Sequence, residues 1–294
     1  MNRSWRAEVA LGVVALLWGT TFVIMKDALR EVSVLLFLAL RFTLATVALA
    51  VYFRGRTSGV SNPRSEWRGG VLSGLFLAAG YALQTFGLTL TTPSKSAFIT
   101  GLYILLVPLL AALVYRRKPH ISEWIAVVVG VSGVALLTLP DLKFHVGAGD
   151  LMTVGCAVAF AAQILVVEKY SRQGSFERLA LIQIGTVAVC ALATFWWVEK
   201  PFITWSKEVI ATLLITGLGA TALAFAVQMW AQARTTATRA ALIFALEPAF
   251  AGVTSVLAGA DRVTIALAGG CGLIFAAIGI AELKPIRFDQ HPLG

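Results

Sequence analysis

The sequence predicts an all-α polytopic membrane protein, with ten transmembrane helices arranged as two inverted five-helix repeats. Three observations carry that prediction. Of the 294 residues, 58% are hydrophobic and 13% charged, with a mean hydropathy of +0.83. A soluble domain carries about 45–50% apolar and about 25% charged residues, so water is the wrong solvent for this chain. Ten apolar segments approach the length of about 20 residues needed to cross a bilayer. The two halves also agree at polar positions, which unrelated apolar sequences have no reason to share. A soluble enzyme, a disordered chain and a disulfide-rich secreted domain are all excluded.

The first segment, 8–26, follows Met1-Asn2-Arg3-Ser4-Trp5-Arg6 and runs into Trp18-Gly19-Thr20-Thr21 without a small-residue cleavage site. It is expected to be a membrane helix, not a cleaved signal peptide. The second, 33–53, carries Arg41 about eight residues in. A loop from Arg54 to Arg68, with Gly55, Gly59, Ser61 and Pro63, leads to the third, 69–90, which holds Tyr81 and Gln84. The fourth, 96–115, holds Tyr103 and Pro108; the fifth, 123–139, holds Gly130 and Gly133. The sixth, 150–168, opens on Asp150, expected as its N-cap, and contains Gln163. The seventh, 178–198, ends at Trp196 and Trp197, which with Trp205 read as an interfacial belt. The eighth, 208–230, contains Gln228; the ninth, 237–257, contains Phe244 and Glu247-Pro248; the tenth spans 263–283. Residues 1–140 are expected to form the first repeat and 141–294 the second, within one integrated membrane domain.

The net charge of +9 lies mostly in short loops and points to membrane orientation, not to nucleic acid. With the N-terminus cytoplasmic, 16 of the 24 Lys and Arg residues fall on the cytoplasmic side, seven fall opposite, and Arg41 is inside a helix. That bias predicts cytoplasmic termini. Cys156, Cys190 and Cys271 lie in apolar runs and read as small buried hydrophobes, without a disulfide or metal role.

Shifted by 142, Trp18 falls on Phe160, Lys26 on Glu168 and Arg41 on Gln183. Shifted by 144, Tyr81-Ala82-Leu83-Gln84 falls on Phe225-Ala226-Val227-Gln228, and Thr91-Thr92 on Thr235-Thr236. Six of the nineteen pairs from Tyr81 to Ile99 are identical. Five helices per half is an odd number, so the second half enters the membrane from the opposite face. Inverted repeats are an architecture of secondary transporters, with a site between the repeats near the midplane.

Leu16-Leu17-Trp18-Gly19-Thr20-Thr21-Phe22, Arg41-Phe42, the stretch from Thr91-Thr92 to Ala97, and Leu246-Glu247-Pro248-Ala249-Phe250 resemble the EamA-type members of the drug/metabolite transporter superfamily. Within it the sequence is most similar to YddG-like amino acid exporters. The resemblance implies two inverted five-helix repeats in a bacterial inner membrane and export of small metabolites, often amino acids. The second half departs from the tryptophan motif, with Phe160-Ala161 in place of Trp18-Gly19.

Ionisable groups inside a membrane are rare, costing about 2.5–3.5 kcal/mol at a helix centre on insertion scales. Glu247 is the one acid placed near the middle of a predicted helix, with Pro248 loosening the backbone beside it. It reads as a ligand for a substrate ammonium or a proton-coupling carboxylate, against a structural carboxylate. Arg41 reads first as a structural or snorkelling cation and second as a partner for a substrate carboxylate. Lys26 and Glu168 read as interfacial anchors. Lys95 and Arg239, near the starts of helices four and nine, read as membrane-edge charges or as reinforcement of an anion site. Arg41, Lys95, Arg239, Pro108 and Pro248 form the group assigned to charge or gating. Gln84, Gln163 and Gln228 suit either a neutral polar substrate group or helix–helix bonding. Trp18, Tyr81, Tyr103, Phe160, Phe225, Phe244 and Trp230 supply aromatic bulk. Trp18, Tyr81, Gln84, Tyr103, Gln163, Gln228, Phe244 and Glu247 are therefore expected to line a cavity walled by helices one, three, four, six, eight and nine. Gly70, Gly74, Gly130 and Gly133 are expected at close helix contacts.

Enzymatic readings fail on partners. Gly130-Val131-Ser132-Gly133 has the form of an intramembrane serine protease motif, but His120, His145 and His291 lie in loops or the tail. Gly147-Ala148-Gly149-Asp150 has the form of an aspartyl protease motif, but a second intramembrane aspartate is missing. The chain carries no ATP-binding loop and no zinc motif. The expectation is a transporter, not an enzyme, with no cofactor and no metal. Its partners are a small-molecule substrate, first an amino acid, and the lipid bilayer; a monomer suffices. A drug or lipophilic-cation exporter of the same superfamily is the alternative, and a non-transporting membrane enzyme the remote one. Glu247→Gln is expected to leave the protein folded and to abolish any pH dependence of transport, measured as counterflow over a pH series. Unchanged transport with an unchanged pH response would remove Glu247 from the mechanism.

Overall fold

Residues 4–55, 62–90, 96, 99–116, 121–138, 147–257 and 264–282 are described by a computed structural model. Their secondary structure is helical; the single exception is a β-bridge between Val32 and Ile203. The helices are α1 (Ser4–Ala28), α2 (Val34–Tyr52), α3 (Pro63–Leu90), α4 (Tyr103–Tyr115) and α5 (Ile121–Thr138), then α6 (Ala148–Tyr170), α7 (Phe176–Val198), α8 (Lys207–Gln232), α9 and α10 (Ile265–Glu282). α9 comes in two pieces, Ala237–Phe244 and Leu246–Leu257. Five described helices (α2, α3, α6, α7 and α8) are both long and apolar enough to cross a membrane, and shorter apolar helices accompany them. Below, face I is the side where α1 begins and face II the side where it ends.

Several boundaries differ from the sequence expectation for identifiable reasons. α3 begins at Pro63, six residues before the apolar run, because proline is pre-set for a helix start and Asn62 Oδ1 accepts the amide of Ser65 at 3.2 Å. Gly147, not Asp150, is the N-cap of α6; Asp150 sits in the first turn and its Oδ2 accepts the Gly147 amide at 2.8 Å. α8 contains a π-helical stretch, Ile215–Leu223, which apolar periodicity did not signal. α9 breaks at Ala245. Pro248 removes the bond to the Phe244 carbonyl and crowds it, so the helix restarts with Glu247 in its first turn.

The packing reflects the duplication. α2 lies on α7 and α5 on α10, each pair made of equivalent members of the two halves. α6 packs on α3 and α4, while α1 packs on α8 and α9, the same relation with the halves exchanged. One apolar core gathers α4, α5, α9, α10 and the first half of α1; another gathers α2, α7, the middle of α3 and the start of α8. Trp18 and Phe160, equivalent positions of the two halves, pack against both cores and mark the seam between them.

Small residues permit this closeness. A Cβ at Gly74 would stand 2.6 Å from Thr186 Cβ and 2.7 Å from the Gln183 carbonyl; one at Gly133 would stand 2.8 Å from the Gly270 carbonyl. Gly70 and Gly130 also face neighbouring helices, against Ile182 and Leu242. Trp196, Trp197 and Trp205 are exposed near the α7–α8 connection, as an interfacial belt requires. The cysteines are free. Overpacking the α3–α7 contact is expected to cost about 1–3 kcal/mol. Gly74→Val should therefore lower the unfolding temperature of the detergent-solubilised protein, while Gly12→Ala, with open space around it, should leave it unchanged.

Candidate functional site

A cavity of about 620 Å³ of unoccupied space, part of it continuous with solvent, lies at the seam between the two apolar cores. Its wall includes all eight residues expected there: Trp18, Tyr81, Gln84, Tyr103, Gln163, Gln228, Phe244 and Glu247. Phe160 and Phe225 join them, and so does Arg41, which brings α2 into the wall. Thr21, Met25, Leu77, Thr100 and Ile164 complete it. These last five carry no sequence signal of their own; the helical spacing Trp18, Thr21, Met25 and Leu77, Tyr81, Gln84 is what would have found three of them.

The aromatic lining is continuous. Trp18 packs against Phe225 at 5.3 Å and Phe244 at 5.1 Å between ring centroids; Tyr81 packs against Phe160 at 5.5 Å and Phe225 at 6.3 Å. Five helices (α9, α1, α8, α3 and α6) are thus joined by one band of rings in the tilted and edge-on arrangements that aromatic pairs prefer. Trp18 Nε1 donates to the Ala220 carbonyl at 2.8 Å, within the π-helical stretch, which holds the indole in place.

Arg41 is 2% exposed. Its Nε donates to Thr221 Oγ1 at 2.7 Å, Nη1 to Met25 Sδ at 3.2 Å and Nη2 to the Tyr81 hydroxyl at 3.5 Å. The guanidinium also lies over the rings of Tyr81, 5.0 Å from the centroid, and Phe42, 5.5 Å away. Arg41 therefore makes structural polar contacts and also lines the cavity, a position outside the wall expected from the sequence. Among the described residues no carboxylate pairs with it. Glu247 faces the same cavity and likewise makes no hydrogen bond or ion pair with a described residue. Gln84 Nε2 donates weakly to Thr100 Oγ1 at 3.5 Å.

The remaining charge and gating candidates lie elsewhere. Arg239 is outside the cavity, at the start of α9 on face I, where its Nη1 meets Glu8 Oε1 of α1 at 3.1 Å. Pro108 is buried inside α4 and does not line the cavity. Pro248 acts through the break in α9. Lys95 lies outside the described residues. Trp230, grouped with the cavity aromatics, instead stacks under the Arg234 guanidinium at 4.5 Å. Glu168 pairs with Arg172 at 3.3 Å. On face I, Arg172 Nη2 also donates to the Thr235 carbonyl at 2.7 Å and Glu66 accepts the Ser175 amide at 2.9 Å.

The EamA-like transporter family matches this chain twice, over residues 5–139 and 147–282. The chain belongs to that family, and is a multi-pass membrane transporter. It is similar to an uncharacterised transporter of Archaeoglobus fulgidus, 31% identical over 283 residues, covering 95% of this chain and 86% of that one. It is also similar to the uncharacterised transporter YoaV of Bacillus subtilis, 20% identical over 280 residues, covering 92% of this chain and 95% of that one. A protein of known crystal structure, 22% identical, has the same fold with a TM-score of 0.78, over 95% of this chain and 96% of its own.

Thr221→Val is expected to strand the buried Arg41 Nε donor and to cost about 1–3 kcal/mol. The check is the unfolding temperature of the purified protein, which should fall; Thr216→Val, whose hydroxyl only back-bonds to the Thr212 carbonyl, should have a smaller effect.

Proposed function

We propose that this transporter exports small metabolites, first among them amino acids with aromatic or apolar side chains, by alternating access across a bacterial inner membrane with both termini cytoplasmic. The observation that carries the reading is one cavity lined by a cation and a carboxylate that lack ionic partners among the described residues, with aromatic rings in the same wall. A zwitterion supplies the missing charges: its carboxylate to Arg41, its ammonium to Glu247, its side chain to the band of Trp18, Phe225 and Phe244. Tyr81 stands beside Arg41, its hydroxyl accepting from Nη2 at 3.5 Å, and lines the same cavity as Glu247. Arginine recognises carboxylates through its planar fork of donors, and buried charge-assisted bonds discriminate strongly.

Orientation rests on the Lys and Arg bias, which puts face I in the cytoplasm. Face I is the side tied shut by Arg239–Glu8, Arg172–Thr235 and Glu66–Ser175. The cavity residues of α1, Trp18, Thr21 and Met25, lie in the face II half of that helix. The conformation is accordingly assigned to the outward-facing side of the cycle. The two halves, 1–140 and 141–294, exchange roles when access switches.

Purified protein in liposomes preloaded with unlabelled amino acids should accumulate labelled amino acid by counterflow, above empty liposomes. An aromatic, an aliphatic, a basic and an acidic substrate run in parallel rank the pocket, with the aromatic and aliphatic ones expected to lead. Arg41→Gln and Glu247→Gln should each reduce counterflow of the leading substrate by about tenfold or more, the loss of one charge-assisted bond. Absence of counterflow for all four substrates, from folded protein, would sink the amino acid reading.

A further inference from the structure

Four buried glutamines close the cavity on its face I side. Gln163 Nε2 of α6 donates to Gln183 Oε1 of α7 at 3.1 Å. Gln228 Nε2 of α8 donates to Gln232 Oε1 at 2.8 Å and more weakly to Gln163 Oε1 at 3.4 Å. Gln232 Nε2 in turn donates to the Ile164 carbonyl at 3.2 Å. All four side chains are at most 2% exposed. The cluster is not self-sufficient: Gln183 Nε2 and Gln228 Oε1 have no hydrogen-bond partner among the described residues. One spare donor and one spare acceptor are thus held inside an apolar bundle, where each unmet group costs about 1–3 kcal/mol.

The repeat register says what these residues correspond to. Gln183 falls on Arg41, Gln163 on Thr21 and Gln228 on Gln84. Three of the four glutamines, Gln183, Gln163 and Gln228, therefore occupy in the second repeat the positions that line the cavity in the first. Inversion turns a wall that faces face II in one half into a wall that faces face I in the other.

We propose that Gln183, Gln163, Gln228 and Gln232 form a second polar subsite on the transport path, folded on itself here and opened to face I when access switches. This rests on the transport reading given above. The open amides then take the same zwitterionic head group, Gln183 standing where Arg41 stands in the other half. The chemistry is deliberately weaker there. A neutral amide holds a carboxylate by bonds roughly half as strong as charge-assisted ones, so substrate is held less tightly on the face I side than at Arg41.

The test uses the full chain with Cys156, Cys190 and Cys271 replaced by Ala, reconstituted in one orientation. Gln183→Cys should be labelled by a membrane-impermeant methanethiosulfonate applied from face I, and the leading amino acid on that side should slow labelling by about tenfold. Labelling from face II, or no labelling from face I of a variant that still transports, would overturn the subsite. Gln232→Cys, a cluster position outside the present cavity wall, is measured in the same way and has the same two outcomes. In the otherwise unaltered chain, Gln183→Met should reduce counterflow about tenfold with little change in unfolding temperature. A lowered unfolding temperature with counterflow retained would mean helix bonding alone and would overturn the proposal. Labelling from face I in a chain that shows no amino acid counterflow would keep the subsite and remove only the amino acid reading.

Discussion

A permanently charged guanidinium buried in an apolar bundle sets the terms for the rest of this structure. Arginine does not deprotonate to escape burial, so its donors must be met in place. Arg41 is met by groups from three other helices: Thr221 on α8, Met25 on α1 and Tyr81 on α3. None of them is an anion. The guanidinium charge is therefore left without an ionic partner among the described residues, in a cavity whose wall also holds Glu247. A membrane protein keeps two such groups only where water or a ligand reaches them.

The π-helical stretch of α8 shows how the backbone serves the same end. Over Ile215–Leu223 the hydrogen-bond register is displaced, and the Ala220 carbonyl accepts the indole of Trp18 while Thr221 turns its hydroxyl to Arg41. Consecutive residues thus hold an aromatic and a cation of the cavity wall from two other helices. π-helical turns inside α-helices are frequent at functional sites. Gly217, in the same stretch, lies close against Leu44 of α2, so α8 approaches α2 closely where Arg41 projects.

Each face is tied by a carboxylate that caps the second helix of the opposite repeat. On face II, Glu199 accepts the amides of Leu35 and Leu36 at the start of α2, at 2.7 and 3.0 Å. On face I, Glu66 accepts the amide of Ser175 at the start of α7 and lies 3.5 Å from Arg178. Glu199 satisfies first-turn donors, Glu66 accepts the amide of the N-cap residue, and both complement the positive end of a helix dipole. The two caps hold the α2–α7 pair as a shared frame. The seam at Trp18 and Phe160 is packed mainly by rings, with the indole of Trp18 tied to the Ala220 carbonyl.

The residues of the cavity were legible because a bilayer makes exceptions conspicuous. Glutamines 84, 163 and 228 and Glu247 stand out in apolar segments, and all line the wall. Trp230 has the same composition signal yet lies outside the cavity wall, packed against the edge of a core and under Arg234, since residue type does not reveal which neighbours a helix face meets. The solvent, the spans and the duplication are written in the chain read in order, since hydropathy, segment length and repeat register need no knowledge of contacts. That Trp18 meets Ala220, 202 positions away, and Arg41 meets Thr221, 180 positions away, emerges only once the helices pack. Those contacts follow from helix rotation and from the displaced turn of α8, which depend on how neighbouring helices pack and leave no periodic trace in the sequence.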